Sequence, residues 1–316
     1  MDNKKSIEVK NLTKKFGDFT SVNDISFDVY KGEIFGFLGA NGAGKSTTIK
    51  MLCGILEPTS GDALVSGFSI DKEPDDVKRN IGYMSQKFSL YGDLTIDENL
   101  NFFGGIYGLQ GEALEKRKAW ALKISGLEDR ENTLTSNLSV GFKQRLALGA
   151  AVMHEPKIVF LDEPTGGVDP ISRRKFWDLI HEISEKGTTV FVTTHYLDEA
   201  EFCNRIILIN AGKLIAAGSP AELKEEYIDS TVLEIDCPDA FKVIEKLAKE
   251  DYTQSVSAFG NSIHLILKKK YSKGDKELEA LKDIIADTTG GRDNVRIEVI
   301  IPSLEDVFLN LLEKRE

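Results

Sequence analysis

Residues 39–47 read GANGAGKST. A glycine, four residues, then Gly44, Lys45 and Ser46 is the spacing of a phosphate cradle, provided a strand precedes it and a helix follows. Both conditions are met, since IFGFL at 34–38 reads as a buried strand and TIKMLCGIL continues as an apolar-periodic helix. Gly42 and Gly44 let the backbone turn its N–H groups inward. The helix then offers its positive end to the same anion. Gly39, Ala40, Asn41, Gly42, Ala43 and Gly44 form the loop. Lys45 would reach the β- and γ-phosphates, the Ser46 hydroxyl would ligate Mg²⁺, and Thr47 would support the α-phosphate. The other half of the chemistry lies at 157–163, KIVFLDE, a second apolar strand that ends in two carboxylates. Asp162 can hold Mg²⁺ through water. Glu163 can orient and deprotonate the attacking water. Together these residues point to nucleoside triphosphate hydrolysis.

In this company the chain resembles the ATP-binding subunits of ABC transporters over roughly residues 5–225. The resemblance implies a set of roles for the matching positions. Phe16, in KKFGD, would stack on adenine. Gln86, in GYMSQ, would contact Mg²⁺ and the water, and its loop would sense a membrane partner. Asp169, in GGVDP, would lie in a loop that crosses to a dimer mate, and His195, in VFVTTH, would contact the γ-phosphate. The stretch LSVGFKQR matches the family's signature with Leu138, Ser139 and Gly141 kept, Val140 in place of a glycine and Phe142 in place of a glutamine. Ser139 would cap the following helix and, with Gly141, reach the ATP of the opposite subunit. Val140 is expected to be strained if its position needs a positive φ. The resemblance thus implies a head-to-tail dimer with two ATP molecules, either homodimer or heterodimer, working with a separate transmembrane permease subunit at the cytoplasmic face of the membrane.

Several elements must position these groups. The expected fold is an α/β P-loop core with antiparallel β and helical subdomains over residues 1–226, followed by a C-terminal α+β domain over 227–316. Residues 1–33 read as an antiparallel sheet; 34–92 and 150–225 alternate strands and helices. The stretch 93–149 reads as mostly helical, with a capping box at Thr95 and Glu98. In the family this insertion and the Gln86 loop form the groove that receives a permease helix. Phe88, Leu90, Tyr91, Phe102, Phe103 and Tyr107 would either line that groove or fill the insertion's own core. Ser219, Pro220 and Glu222 mark a new helix start. Beyond it the order βαββαβ is that of a ferredoxin-like unit, closed by a helix with Ser303 and Asp306 as a cap pair. His264 reads as an outward strand residue. The closing PSLEDVFL is similar to the tail of ATPases that serve ABC-2-type, drug-resistance-like exporters, which tilts the reading to export.

Composition narrows the alternatives. A formal net charge of −11 over 316 residues argues against general nucleic-acid binding. No apolar run approaches the roughly 18 residues of a spanning helix, and the N-terminus lacks the apolar core of a signal peptide. Cys53, Cys203 and Cys237 have no metal-ligand spacing and read as small core residues in a reducing compartment. A soluble ABC-type ATPase serving ribosomes or DNA is the rival reading. It is disfavoured by the single phosphate loop and by the absence of a long heptad run before the signature. A nucleotide-dependent interaction module without turnover is disfavoured by the retained Glu163.

Overall fold

Continuous apolar runs become strands buried on both faces, and these organise the first part of the chain. In the computed structural model, residues 4–271, 275–289 and 295–313 are described; the outer ends of the expected domains, 1–3 and 314–316, lie outside them. The chain divides into two compact units, Met1–Ser219 and Pro220–Glu316.

The first unit runs β1 (Lys5–Phe16), β2 (Phe19–Tyr30), β3 (Ile34–Leu38), α1 (Lys45–Leu52), β4 (Ser60–Val65), β5 (Phe68–Ser69), α2 (Pro74–Asn80), β6 (Ile81–Met84), α3 (Ile96–Ile106), α4 (Gly111–Ser125), α5 (Val140–Val152), β7 (Ile158–Asp162), α6 (Pro170–Glu185), β8 (Thr189–Thr194), β9 (Arg205–Asn210) and β10 (Lys213–Gly218). One sheet has the order β10-β9-β3-β8-β7-β6. Its strands β9, β3, β8, β7 and β6 are parallel, and β10 adds an antiparallel edge. Every residue of β3, β7 and β8 is buried. Phe35, Phe37, Phe160 and Phe191 pack there with ring centroids 5.4–5.6 Å apart. The β3 and β7 C-terminal ends carry the phosphate loop and Asp162. A parallel sheet therefore delivers both halves of the chemistry to one edge.

A second, antiparallel sheet has the order β2-β1-β4-β5. Its last two strands come from 60–69, a stretch whose strand–helix alternation assigned it to the nucleotide core. The β4 strand instead pairs with β1 from Ile7↔Val65 to Thr13↔Ser60. Alternation along the chain does not say which sheet a strand joins; pairing with a distant edge does. Helix α1 also ends earlier than its apolar periodicity suggests, because Gly54, with φ 64°, leaves the helical region after the Cys53 cap. The α3 start carries the expected capping box, Glu98 N–H to Thr95 Oγ1 at 3.2 Å and Thr95 N–H to Glu98 Oε2 at 2.8 Å.

The α3–α5 segment is pinned to the parallel sheet through His154. Its ring stacks on Tyr107 at 3.5 Å and its Nε2 lies 3.0 Å from the Ile81 carbonyl oxygen. Burial pushes its pKa from 6.5 down to about 4; the Ile81 bond opposes the shift and Arg117 adds to it. The folded chain thus holds this ring neutral where the unfolded chain takes a proton. Its contribution is complete above pH 6.5 and is lost as pH falls towards 4. The melting temperature should therefore drop across that interval, and less steeply in His154→Gln; equal slopes in a pH series of thermal melts would refute the assignment.

The second unit runs α7 (Pro220–Tyr227), β11 (Val232–Asp236), α8 (Ala240–Leu247), β12 (Thr253–Phe259), β13 (Ser262–Leu267), α9 (Asp275–Thr289), β14 (Arg296–Ile300) and α10 (Leu304–Glu313). Its sheet order β12-β13-β11-β14 is antiparallel throughout. That is the arrangement of a ferredoxin-like split unit. Val243, Leu247, Leu281 and Ile285 of α8 and α9 cover Leu233, Ile235, Ile263 and Leu265. Helix α7 belongs to this unit, so the unit begins at Pro220 rather than at the expected 227, and the Asn310 side chain on α10 donates to the Tyr227 carbonyl at 2.8 Å.

His264 is not an outward residue. It is 3% exposed, with Nδ1 2.9 Å from Asp306 Oδ1 on α10 and its ring 4.1 Å from that of Phe259. A period of two tells which residues share a face; a helix from far along the chain covers this one. Asp306 also accepts from Ser303 N–H and Oγ at 2.8 and 2.7 Å, while its own N–H returns to Ser303 Oγ. Burial would raise the Asp306 carboxyl, but these bonds outweigh it and hold the group below the usual carboxylate range.

Candidate active site

Each glycine of the loop is needed for its own reason. Gly42 has φ 81° with open space around it, so only its backbone conformation demands glycine. Gly44 has φ 108°, and an added Cβ would also lie 2.6 Å from the Ser21 carbonyl oxygen of β2. Gly39 has an ordinary φ, but a Cβ there would come within 2.2 Å of the Ile209 carbonyl oxygen of β9. Ala40 and Asn41 are exposed, whereas Ala43 packs inside. Thr47 Oγ1 accepts from Ser21 Oγ at 3.0 Å, which ties the loop to the antiparallel sheet. Lys45 is 4% exposed and curls back onto the loop, donating to the Gly39 and Ala40 carbonyls at 2.8 and 3.1 Å.

The carboxylates meet this lysine directly. Lys45 Nζ lies 3.2 Å from Glu163 Oε1. Glu163 Oε2 accepts from Gln86 Nε2 at 3.0 Å and faces His195 Nδ1 at 3.1 Å. One carboxylate therefore gathers the loop lysine, the glutamine and the histidine. Glu163 achieves this from an unusual backbone: its φ is 47°, held by its N–H on the Thr193 carbonyl and Oγ1 at 3.1 and 3.0 Å. A non-glycine residue in that region carries backbone strain. Asp162 is 2% exposed and accepts from Ser46 Oγ at 3.1 Å and Thr193 Oγ1 at 2.7 Å.

Thr193 is the residue that motif reading passed over. The signal was present, since Thr193 and Thr194 end the β-branched strand before His195. Only the Asp162↔Thr193 register between β7 and β8 shows which groups that hydroxyl serves. Glu199, four residues after His195, went unnoticed for the same reason. It is 0% exposed and accepts from Thr165 Oγ1.

The signature stands around the starts of α5 and α6. Ser139 occupies the N-cap position with extended backbone, φ −64° and ψ 159°, yet its hydroxyl makes no capping bond. The expected cap bond is therefore not made, although the backbone takes the cap conformation. Val140 is the first helical residue, is 48% exposed and is not among the residues with positive φ. The strain anticipated for valine does not arise, because the helix starts one residue before a glycine would be required. Phe142 sits between Arg130 and Arg145, their guanidinium carbons 5.3 and 4.5 Å from its centroid.

Gly141 is the constrained position. A Cβ there would stand 2.7 Å from Ser172 Oγ and 2.8 Å from Ser172 Cβ. Ser172 is in the first turn of α6, and its N–H donates to the N-cap Asp169 Oδ1 at 2.9 Å. Gly141→Ala should therefore push α5 from α6 and cost about 1–3 kcal/mol. Val140→Gly should cost only about 0.5–1 kcal/mol. Calorimetry should find the larger loss at 141 and its recovery in Gly141→Ala/Ser172→Gly; no recovery would refute the packing explanation.

Phe16 ends β1 at the hairpin with β2, 51% exposed, with Lys14 Nζ 5.3 Å from its ring centre. The aromatic cluster of the insertion divides. Leu90 is buried, and Tyr107 is half-buried with its ring stacked on His154. Tyr91 and Phe102 are exposed and meet edge to face at 5.1 Å, with Phe103 packed against Phe102 at 5.3 Å.

Comparison with known proteins supplies a family. A family model described as ABC transporter matches residues 22–166. The sequence is 55% identical over 220 residues to the probable multidrug ABC transporter ATP-binding protein YbhF of Escherichia coli (strain K12), a match covering 70% of this chain and 38% of that relative. The chain thus spans well under half the length of that protein. It is 38% identical over 311 residues to the linearmycin resistance ATP-binding protein LnrL of Bacillus subtilis (strain 168), covering 96% of this chain and 97% of the relative. Among solved structures, the ATP-binding subunit of an ABC transporter superimposes with TM-score 0.64 at 31% identity, covering 70% of this chain and 92% of that one. The cassette MJ0796, dimeric in a post-hydrolysis state with ADP and Pi, superimposes with TM-score 0.62 at 29% identity, covering 67% and 98%.

Proposed function

The chain belongs to the ATP-binding proteins of ABC transporters, and we propose from this that it binds and hydrolyses ATP to power export through a separate transmembrane permease subunit. The observation that carries the reading is Glu163, which meets Lys45, Gln86 and His195 at 3.2, 3.0 and 3.1 Å.

Lys45 and the N–H groups of residues 39–47 bind the phosphates, with Phe16 exposed for the adenine. The lysine exchanges its contact with Glu163 for phosphate oxygens, which frees the carboxylate. Glu163, held at its strained φ by Thr193, then accepts the proton of the attacking water. His195 and Gln86 fix the direction of that carboxylate. Ser46, Asp162 and Gln86 offer a hydroxyl, a carboxylate and an amide, a hard-oxygen donor set that suits Mg²⁺. The Ser46–Asp162 hydrogen bond places two of these donors together. Bound there, the ion would neutralise charge on the β- and γ-phosphates.

Ser139 and Gly141 serve the ATP of a second subunit, identical or related, beside Asp169. The exposed Tyr91–Phe102 pair borders the groove for a permease helix, which supports a position at the cytoplasmic face of the membrane. Among the described residues no helix is long and apolar enough to cross a membrane. Export is the direction favoured by the multidrug and linearmycin-resistance names of the relatives. Light scattering of full-length Glu163→Gln tests the reading. Its mass should double on adding Mg-ATP and return on removing it; ATP binding without any change in mass would overturn the homodimeric form.

A further inference from the structure

We propose that Glu199 is a positioning residue, whose buried carboxylate fastens the loop between Glu163 and Asp169 to the turn that carries His195.

That loop, Glu163 to Asp169, contains Gly166 and Gly167, the latter at φ 73°. It is folded on itself by Gly166 N–H to the Glu163 carbonyl at 3.2 Å and Val168 N–H to the Thr165 carbonyl at 3.1 Å. Two adjacent glycines leave such a segment free to take other conformations. Thr165, 1% exposed, is its side-chain anchor, and the Thr165 hydroxyl donates to Glu199 Oε1 at 2.5 Å. Glu199 belongs to the short turn Leu197–Phe202, separated from His195 only by Tyr196, and its own N–H donates to the Tyr196 carbonyl at 3.2 Å.

Arg173 brings the third segment. It sits one turn into α6, its N–H on the Asp169 carbonyl at 2.9 Å. Its Nε lies 3.5 Å from Glu199 Oε1, and its guanidinium lies over the Tyr196 ring at 4.2 Å. The Tyr196 ring in turn is 4.1 Å from that of His195. The segments of the base, the switch histidine and the dimer loop therefore converge on one carboxylate. A movement of Asp169 against a second subunit would reach Glu163 and His195 through this joint. The site is buried, so its hydrogen bonds are not replaced by water when broken.

This inference rests on the ATPase reading above, and the test separates the two. Amide hydrogen exchange of the nucleotide-free full chain reports the fastening alone. Exchange at 165–169 should quicken in Thr165→Val and Glu199→Gln and stay at the wild-type rate in Thr165→Ser. ATP turnover reports its consequence. Both disrupting variants should lose about tenfold in kcat, the scale of one hydrogen bond to a charged group, with KM for ATP within about twofold. The double variant should be no slower than either single one. Unchanged exchange, or kcat and KM shifting together, or independent losses that multiply, would overturn the proposal. A wild-type chain that does not hydrolyse ATP would remove the reading beneath it, while the exchange result would still decide whether the joint exists.

Discussion

ATP turnover by Glu163→Gln falls about 10²- to 10⁴-fold, the usual loss on removing a general base, while its affinity for ATP does not weaken. The geometry separates these two effects. Glu163 Oε2 accepts from Gln86 and faces His195, and a glutamine oxygen can accept in both directions. The other carboxylate oxygen, Oε1, faces Lys45 Nζ at 3.2 Å, and in the variant an amide NH₂ would stand there. Two donors then face each other, and Lys45 is released towards phosphate. The variant should thus bind ATP at least as tightly as the wild type and hold it unhydrolysed. Single-turnover kinetics with nucleotide titration would check both halves; turnover within tenfold of wild type would remove Glu163 from the role of base.

Lys45→Ala should weaken ATP binding by about 10²- to 10⁴-fold. Each hydrogen bond to a charged group contributes about 1.5–3 kcal/mol, and the ammonium can make two to the β- and γ-oxygens. A second loss adds to this, because the same group closes the loop by donating to the Gly39 and Ala40 carbonyls at 2.8 and 3.1 Å. Without it the cradle is less organised before any ligand arrives. Titration calorimetry with Mg-ATP measures the affinity, and a change of less than tenfold would show that the backbone N–H groups carry the binding unaided.

The sequence determined the chemistry where residues near in the chain must act together. A glycine-rich loop between an apolar strand and a helix can be read locally, because its N–H groups, lysine and hydroxyl lie within nine residues. The pair Asp162–Glu163 at a strand end can be read for the same reason, and so can both capping boxes, whose partners are three residues apart. Apolar runs likewise identified the buried strands β3 and β7, and alternation identified the βαββαβ order of the second unit.

The tertiary structure decided whatever depends on residues that meet across the chain. The β4 strand joined the antiparallel sheet by pairing with β1. Helix α10 covered His264. The Thr193 hydroxyl reached Asp162 because β7 and β8 are neighbours in register. The departure in SVGFKQR is resolved in the same way. Val140 is tolerated because it is exposed at a helix start, and Gly141 is required because Ser172 stands against it. Spacing along a chain encodes turns, caps and periodic faces. Steric exclusion between distant segments has no local signature, so the reason for that glycine is found only in the fold.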